Sequence, residues 1–304
     1  MMLLTNWLAN VTSRLRKRHV FRSRDRRAIR QCCQTVIYNQ LAAAEVLEDR
    51  TLLTAITASV AGGNLEIVQN TNTDSTLVLS ESSGVLTVSD SANTIAAPTG
   101  GTQINENAFT IPVAQLTGGV ISVIGGTGSD HLTVDTSVAT AGLEVIYEGG
   151  GGAGDDSLSL TGTALSTEFQ FANLHDGNVR LNGSGEVFVA YTGLEPIYSL
   201  INTTDVTLNY SNTGETINIS GATGGNTTIS STAGETVTFL NPTGTLLINT
   251  EKGDSDTINV NTLDSSFDAH LTISPDPEDT INVGTVDLGS GDLNLDGIVN
   301  FNGA

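Results

Sequence analysis

The feature that most constrains this chain is a five-residue phrase that occurs four times near its C-terminal end. The copies begin at Glu215, Glu235, Asp256 and Asp279, roughly twenty residues apart. Apolar and polar residues alternate within each copy, which is the period of a β-strand with one buried face. A second alternating run lies between successive copies, and turn-forming residues separate the runs. We therefore predict two strands and two turns per repeat, stacked so that neighbouring repeats bury each other's apolar face.

The predicted fold class is all-β, a right-handed parallel β-solenoid (β-helix) with coils of roughly 20–26 residues. Residues 1–55 form a non-globular basic leader, and residues 56–304 form the solenoid body. The body divides into an irregular cap with the first coils (56–124), Gly-rich coils (125–204) and regular coils (205–304). The repeat pattern continues to the last residue, Ala304. We therefore expect the last coil to be uncapped, as in a fragment or an unusually short solenoid protein.

Composition and charge exclude several classes of function. Only 38% of the residues are hydrophobic and 5% are aromatic, which suits a thin core of Ile, Val and Leu. The net charge is −21, although ten of the 12 basic residues lie within the first 50. An acidic body repels nucleic acid and anionic membranes, attracts cations and keeps strand edges of different molecules apart. Cys32 and Cys33 both lie in the leader, so the body has no disulfide framework, and no apolar stretch is long enough to span a membrane.

The leader carries a recognisable motif. An Arg-rich segment precedes Leu47-Glu-Asp-Arg-Thr-Leu-Leu53. This arrangement resembles the leader of large exported proteins from planctomycete-type bacteria, and the resemblance implies secretion or display at the cell surface. The motif residues are Leu47, Glu48, Asp49, Arg50, Leu52 and Leu53.

Two Gly-rich segments, Gly125–Leu132 and Gly151–Leu158, share the pattern Gly-Gly-x-Gly-x-Asp-x-Leu. They resemble the calcium-binding nonapeptide of haemolysin-type (RTX) repeats, which implies Asp130, Asp155 and Asp156 as Ca²⁺ ligands. That family places its repeats in tandem, whereas a separate strand lies between these two copies. The alternative is a Gly-rich turn whose Asp accepts backbone N–H groups at the start of the next strand. Acidic residues recur at the same place before the later strands, which favours this alternative.

The last segment offers a second metal hypothesis. Asp292, Asn294, Asp296 and Asn300 are spaced like ligands one, three, five and nine of the calcium loop of dockerins and EF-hands, and the segment is similar to them. Position twelve is Gly303, where that family has an acidic residue. The alternative is two further strands, with Leu293 and Leu295 pointing inward and a new strand from Ile298 to Phe301.

Catalysis finds little support in the sequence. Lyase chemistry on acidic sugars needs a cationic group, and the body offers only Arg180 and Lys252. Glycoside hydrolysis needs two carboxylates across a cleft, whereas the acids here recur in every turn. No Gly-x-Ser-x-Gly, Walker or His-Glu-x-x-His motif occurs.

We therefore predict a non-enzymatic, exported structural or adhesion solenoid of the cell surface or extracellular matrix. A calcium-binding extracellular repeat module is the first alternative, and a polysaccharide-active β-helix enzyme is the second. No cofactor is required, with Ca²⁺ as the one candidate. The expected partner is a cell-envelope or extracellular polymer or protein, with end-to-end self-association as a further contact. Outward Asn218, Asn259 and Asn282 are predicted to stack their amides along the axis.

Overall fold

The structure is a computed structural model that describes residues 55–151, 155–210, 214–250, 253–275, 277–295 and 298–301. All of these residues belong to one compact unit, Thr54–Ala304. The basic leader with its export motif, and Asp296 of the predicted C-terminal loop, lie outside the described residues.

The described chain is all-β, and its strands are numbered in chain order. The first eight strands are β1 Ile56–Ala61, β2 Asn64–Gln69, β3 Ser75–Ser82, β4 Val85–Asp90, β5 Ile95–Ala96, β6 Thr102–Asn105, β7 Ala108–Pro112 and β8 Val120–Ile124. The next eight are β9 Asp130–Asp135, β10 Glu144–Glu148, β11 Ser157–Phe171, β12 Gly177–Leu181, β13 Val187–Thr192, β14 Ile197–Asn209, β15 Thr216–Ala222 and β16 Asn226–Ser231. The last seven are β17 Val237–Leu240, β18 Thr245–Asn249, β19 Thr257–Val260, β20 His270–Ser274, β21 Thr280–Val283, β22 Leu293–Leu295 and β23 Ile298–Phe301. The helical segments are a 3₁₀ turn at Val113–Gln115 and the short helix α1, Ser137–Thr140.

The strands form one large mixed sheet that does not close on itself. Most of its pairings form two ladders, to which β1 and β4–β7 are added at the N-terminal end. The first ladder runs β2-β8-β10-β13-β12-β11-β14-β18-β20-β22. The second ladder runs β3-β9-β11-β14-β17-β16-β15-β19-β21-β23. The long strands β11 and β14 belong to both ladders, which joins them into one sheet.

The repeated phrases lie in register in the second ladder. Asn218 of β15 is the register partner of Asn259 in β19, which is in turn the partner of Asn282 in β21. The Asn259 Nδ2 donates to Asn218 Oδ1 at 2.9 Å, and the Asn282 Nδ2 donates to Asn259 Oδ1 at 2.9 Å. The predicted stack of outward asparagine amides is therefore confirmed.

One copy of the phrase does not take the expected place. The second copy, in β17, lies parallel to β14, and the antiparallel strand β16 separates it from β15. The chain reverses after β15 because Gly224 and Gly225 adopt φ of 83° and 77°, a backbone conformation that suits a tight hairpin and that residues with a Cβ rarely adopt. Strand β12 is inverted in the same way within the first ladder. These inversions, together with the antiparallel pairs β1–β2, β3–β4, β4–β7 and β6–β7, make the sheet mixed, and not uniformly parallel as the sequence pattern suggested.

The core follows the alternation of the strands. Inward positions of the repeated phrase are fully or almost fully buried: Ile217, Ile219, Val237, Phe239, Ile258, Val260, Ile281 and Val283. Each such side chain contributes roughly 1.5–3 kcal/mol before conformational entropy is subtracted. Larger residues fill the middle of the unit, where the rings of Phe171 and Tyr210 stack with centroids 4.8 Å apart. Within the described ranges, no helix combines the length and hydrophobicity needed to cross a bilayer.

Candidate functional site: a file of buried carboxylates

An acidic residue stands at the entrance to most strands of the second ladder, and register brings these residues into one row. We call this row the acid file. No member is more than 7% exposed. Its members, in ladder order, are Asp130, Asp156, Glu235, Glu215, Asp256 and Asp279.

Within the file, a carboxylate accepts the backbone N–H of the equivalent residue on a neighbouring strand. The Asp156 Oδ1 accepts the N–H of Asp130 at 2.8 Å, and the Asp130 Oδ1 accepts the N–H of Ser75 at 2.9 Å. The same contact recurs further along the ladder. There the Asp279 Oδ1 accepts the N–H of Asp256 at 2.8 Å, and the Asp256 Oδ1 accepts the N–H of Glu215 at 2.8 Å. Asp130 and Asp156 thus accept backbone N–H groups, as the predicted alternative has it, but these groups begin earlier strands, β3 and β9, and not the strands that follow the two turns.

The two Gly-rich turns lie directly against each other. The N–H of Gly151 donates to the carbonyl oxygen of Gly126 at 3.2 Å, and the N–H of Gly126 donates to Asp130 Oδ2 at 2.6 Å. The motifs are thus spatial neighbours, although β10 separates them in the sequence. Asp155 is exposed, whereas Asp130 and Asp156 are buried and bound to backbone donors. Calcium binding by these three residues stays a prediction.

Burial makes several members of the file hold a proton more strongly than usual. Burial raises the pKa of Asp156 to about 6, and the charges of Asp130 and Asp155 act in the same direction. Burial also raises the pKa of Glu215 to about 7, with further contributions from the charges of Asp256 and Asp254. The pKa of Glu235 is raised to about 7 by burial and by the Glu195 carboxylate, against the hydrogen bond from the N–H of Thr236.

These pKa values predict that the protein is more stable in mild acid than at neutral pH when no metal is added. An unfolded Glu loses its proton near its usual pKa of 4.5, whereas folded Glu215 and Glu235 keep theirs until about 7. Between about pH 4.5 and pH 7 the folded state therefore binds more protons than the unfolded state. The free energy of unfolding falls as the pH rises through this range. Each carboxyl contributes up to roughly 3 kcal/mol to this change.

Denaturant unfolding in EDTA at several pH values between about 5 and 8 measures the effect. The matched variants are Glu215→Gln and Glu235→Gln, which keep the shape and one acceptor oxygen but cannot ionise. Each variant is expected to show a smaller fall in unfolding free energy between pH 5 and pH 8 than the unmodified chain. A free energy of unfolding that rises from pH 5 to pH 8 in the unmodified chain would contradict the prediction.

Three carboxylates converge at the C-terminal half of the file. Oxygen atoms of Asp254, Asp256 and Asp279 all lie within 4.8 Å of one another, with Asp254 partly exposed and the other two buried. The Thr250 Oγ1 also donates to Asp279 Oδ2 at 2.8 Å. Sequence reasoning missed this cluster because its members come from two different repeats. The sequence signal that could have indicated it is Asp254-Ser-Asp256, two acidic residues one position apart at the start of the third phrase.

A shallow recess brings a second set of carboxyl groups together. Its volume is about 330 Å³, and Asp155, Glu195 and Glu235 are among the residues that line it. The Glu195 Oε1 lies 3.0 Å from the His175 Nδ1, and the Glu235 Oε1 accepts the N–H of Thr236 at 2.8 Å. The predicted enzyme alternative would find candidate carboxylates in this recess.

The predicted C-terminal calcium loop has a different form in the described residues. Asn294 lies in β22 of the first ladder, and Asn300 lies in β23 of the second ladder. Asp292 is exposed before β22, where its N–H donates to His270 Nδ1 at 3.1 Å. The segment thus forms two further strands, as the alternative interpretation predicted.

Comparison with known proteins gives no match to this chain among protein-family models, curated proteins or solved structures.

Proposed function

We propose that this chain is an exported β-solenoid with a structural or adhesive role at the cell surface or in the extracellular matrix. Strands stacked in register over two ladders support a coil in which β9 leads through β10 to β11, one circuit of the chain. The buried carboxylates of the acid file hold backbone N–H groups, which is a structural use of charged side chains. The acidic body and the basic leader with its motif support export.

The observation that carries the adhesive role is the outward rows of amide side chains. One row is the stack of Asn218, Asn259 and Asn282 described above. A second row lies on the first ladder, where the Asn249 Nδ2 donates to Asn209 Oδ1 at 2.8 Å and the Asn209 Nδ2 donates to Glu168 Oε1 at 2.7 Å. Amides at the strand spacing of about 4.8 Å form a regular array of donors and acceptors that suits a polymer with its own repeat.

Co-sedimentation of the full chain with washed cell-envelope polymer and with insoluble polysaccharides tests this role. We expect saturable binding that an Asn209→Ala, Asn249→Ala double variant or an Asn218→Ala, Asn259→Ala double variant weakens. The control is Asp264→Asn, in the partly exposed loop between β19 and β20. Release of new reducing ends from the polysaccharide, lost in Glu235→Gln, would contradict the structural role and favour a hydrolase at the recess.

Export is tested separately on intact cells. The full chain is expected outside the cell, where added protease reaches it, and a Leu52→Asp, Leu53→Asp variant is expected to remain inside. Retention of the unmodified chain in the cytoplasm would overturn the proposed location.

A further inference from the structure

The cluster of Asp254, Asp256 and Asp279 has the dimensions of a single bound calcium ion. Its ligand atoms lie within 4.8 Å of one another. Calcium binds oxygen at about 2.3–2.6 Å, so two oxygens on opposite sides of one ion are about 4.6–5.2 Å apart. One Ca²⁺ can therefore contact all three carboxylates. The ligands are all oxygen atoms, which suits Ca²⁺ better than a transition metal.

A second observation comes from Glu215, the next member of the acid file. Glu215 is 4% exposed. The Ser231 hydroxyl donates to its Oε2, but its Oε1 is buried without a hydrogen-bond partner among the described residues. Its backbone N–H bonds Asp256, and the charges of Asp256 and Asp254 act on its carboxyl group. A buried carboxyl oxygen without a donor is costly unless a proton or a cation compensates it.

We propose that Asp254, Asp256 and Asp279 bind one Ca²⁺ ion beside the buried Glu215 carboxyl group. The ion would tie together two strands of the second ladder, β19 and β21. Asp254 is partly exposed, which gives the ion a route from solvent. This site is separate from Asp130, Asp155 and Asp156 and from the segment at Asp292. The inference does not rest on the adhesive role, because a cation site in the ladder is equally useful to any function of the chain.

Thermal unfolding of the full chain, first stripped with EDTA, tests the site. With about 5 mM CaCl₂ we expect the melting temperature to rise by roughly 2–8 °C, given the 10⁻⁴–10⁻³ M affinities of extracellular calcium modules. The same concentration of MgCl₂ is the ionic control and is expected to give a smaller rise. Isothermal titration with CaCl₂ is expected to give one site. An unmodified chain that does not respond to CaCl₂ overturns the proposal.

Three variants locate the ion. Asp254→Asn, which changes the most exposed ligand and least disturbs folding, is expected to lose the calcium response while its circular dichroism in EDTA stays unchanged. Asp155→Asn and Asp292→Asn are matched single-charge controls at the two sites predicted from sequence, and both are expected to keep the response. A response that Asp155→Asn or Asp292→Asn abolishes and Asp254→Asn retains would overturn the proposed site.

Discussion

A Gly150→Ala variant is expected to lose about 3–5 kcal/mol of unfolding free energy, among the largest effects of any single substitution in this chain. Gly150 has φ of 114°, where a residue with a Cβ is strained. An added Cβ would also overlap the carbonyl oxygen of Gly126 and lie 3.0 Å from the carbonyl carbon of Gly125. These are backbone atoms of the facing Gly-rich turn and cannot rotate away. Denaturant unfolding measures the loss.

Gly151→Ala is the matched control. A Cβ at this neighbouring position would meet no atom within 4 Å. Its free energy of unfolding is expected to stay within about 1 kcal/mol of that of the unmodified chain. Equal losses in the two variants would mean that the Gly-rich turns do not pack against each other as described.

The second large effect is expected for Asp130→Ala, at about 3–5 kcal/mol. The variant removes both carboxylate oxygens that accept the N–H groups of Ser75 and Gly126. Each such charge-assisted bond contributes about 1.5–3 kcal/mol, and the donors left behind are held in a buried or partly buried site. Asp130→Asn keeps one acceptor oxygen, so its loss is expected to be intermediate.

Measuring the loss of unfolding free energy in EDTA and again in CaCl₂ distinguishes a capping role of Asp130 from metal binding. A loss of the same size in both solutions supports the capping role of Asp130. A loss that appears only when calcium is present would instead identify Asp130 as a metal ligand, as the resemblance to haemolysin-type repeats implies. Asp155→Ala, which changes an exposed carboxylate, is the control and is expected to cost less than about 0.5 kcal/mol.

The strands and the core were predictable because they depend on local alternation. A period of two determines which face each residue occupies, so the buried state of Ile217, Ile258 and Ile281 follows from the sequence. The asparagine stack follows from the same pattern, since equivalent positions of stacked repeats lie in register. The two C-terminal strands were also foreseen as the alternative to a metal loop.

The order of the strands was not predictable in the same way. Alternation buries the same residues whether a strand runs parallel or antiparallel to its neighbour, so the pattern of β16 does not reveal its inversion. The chain direction depends on the turn at Gly224 and Gly225, which resembles many others in this Gly-rich sequence. Pairing between residues 41 positions apart, such as Asn218 and Asn259, also depends on long-range contacts.

The candidate site shows the same division. Acidic residues before strands indicated a capping role, and the hydrogen bonds of Asp130 and Asp256 have that form. The convergence of Asp254 and Asp256 with Asp279 requires the register of two repeats, which local pattern does not supply. The contact between the two Gly-rich turns likewise appears only once β9 and β11 are known to be adjacent.

Disulfide trapping tests the strand order most directly, in a chain whose Cys32 and Cys33 are replaced by Ser. Asn218 is the register partner of Asn259, whereas β16 lies between it and Thr238, the equivalent residue of the next phrase in the sequence. Neighbouring strands are about 4.8 Å apart, within the Cα separation of about 4.4–6.8 Å that a disulfide needs, and next-nearest strands are about twice as far apart.

Mild oxidation followed by peptide mass spectrometry is expected to find a disulfide in the Asn218→Cys, Asn259→Cys variant and none in the Asn218→Cys, Thr238→Cys variant. This result would support the ladder on which the acid file and the proposed calcium site depend. A disulfide in the second variant and none in the first would contradict that ladder, because the phrases would then stack in their sequence order.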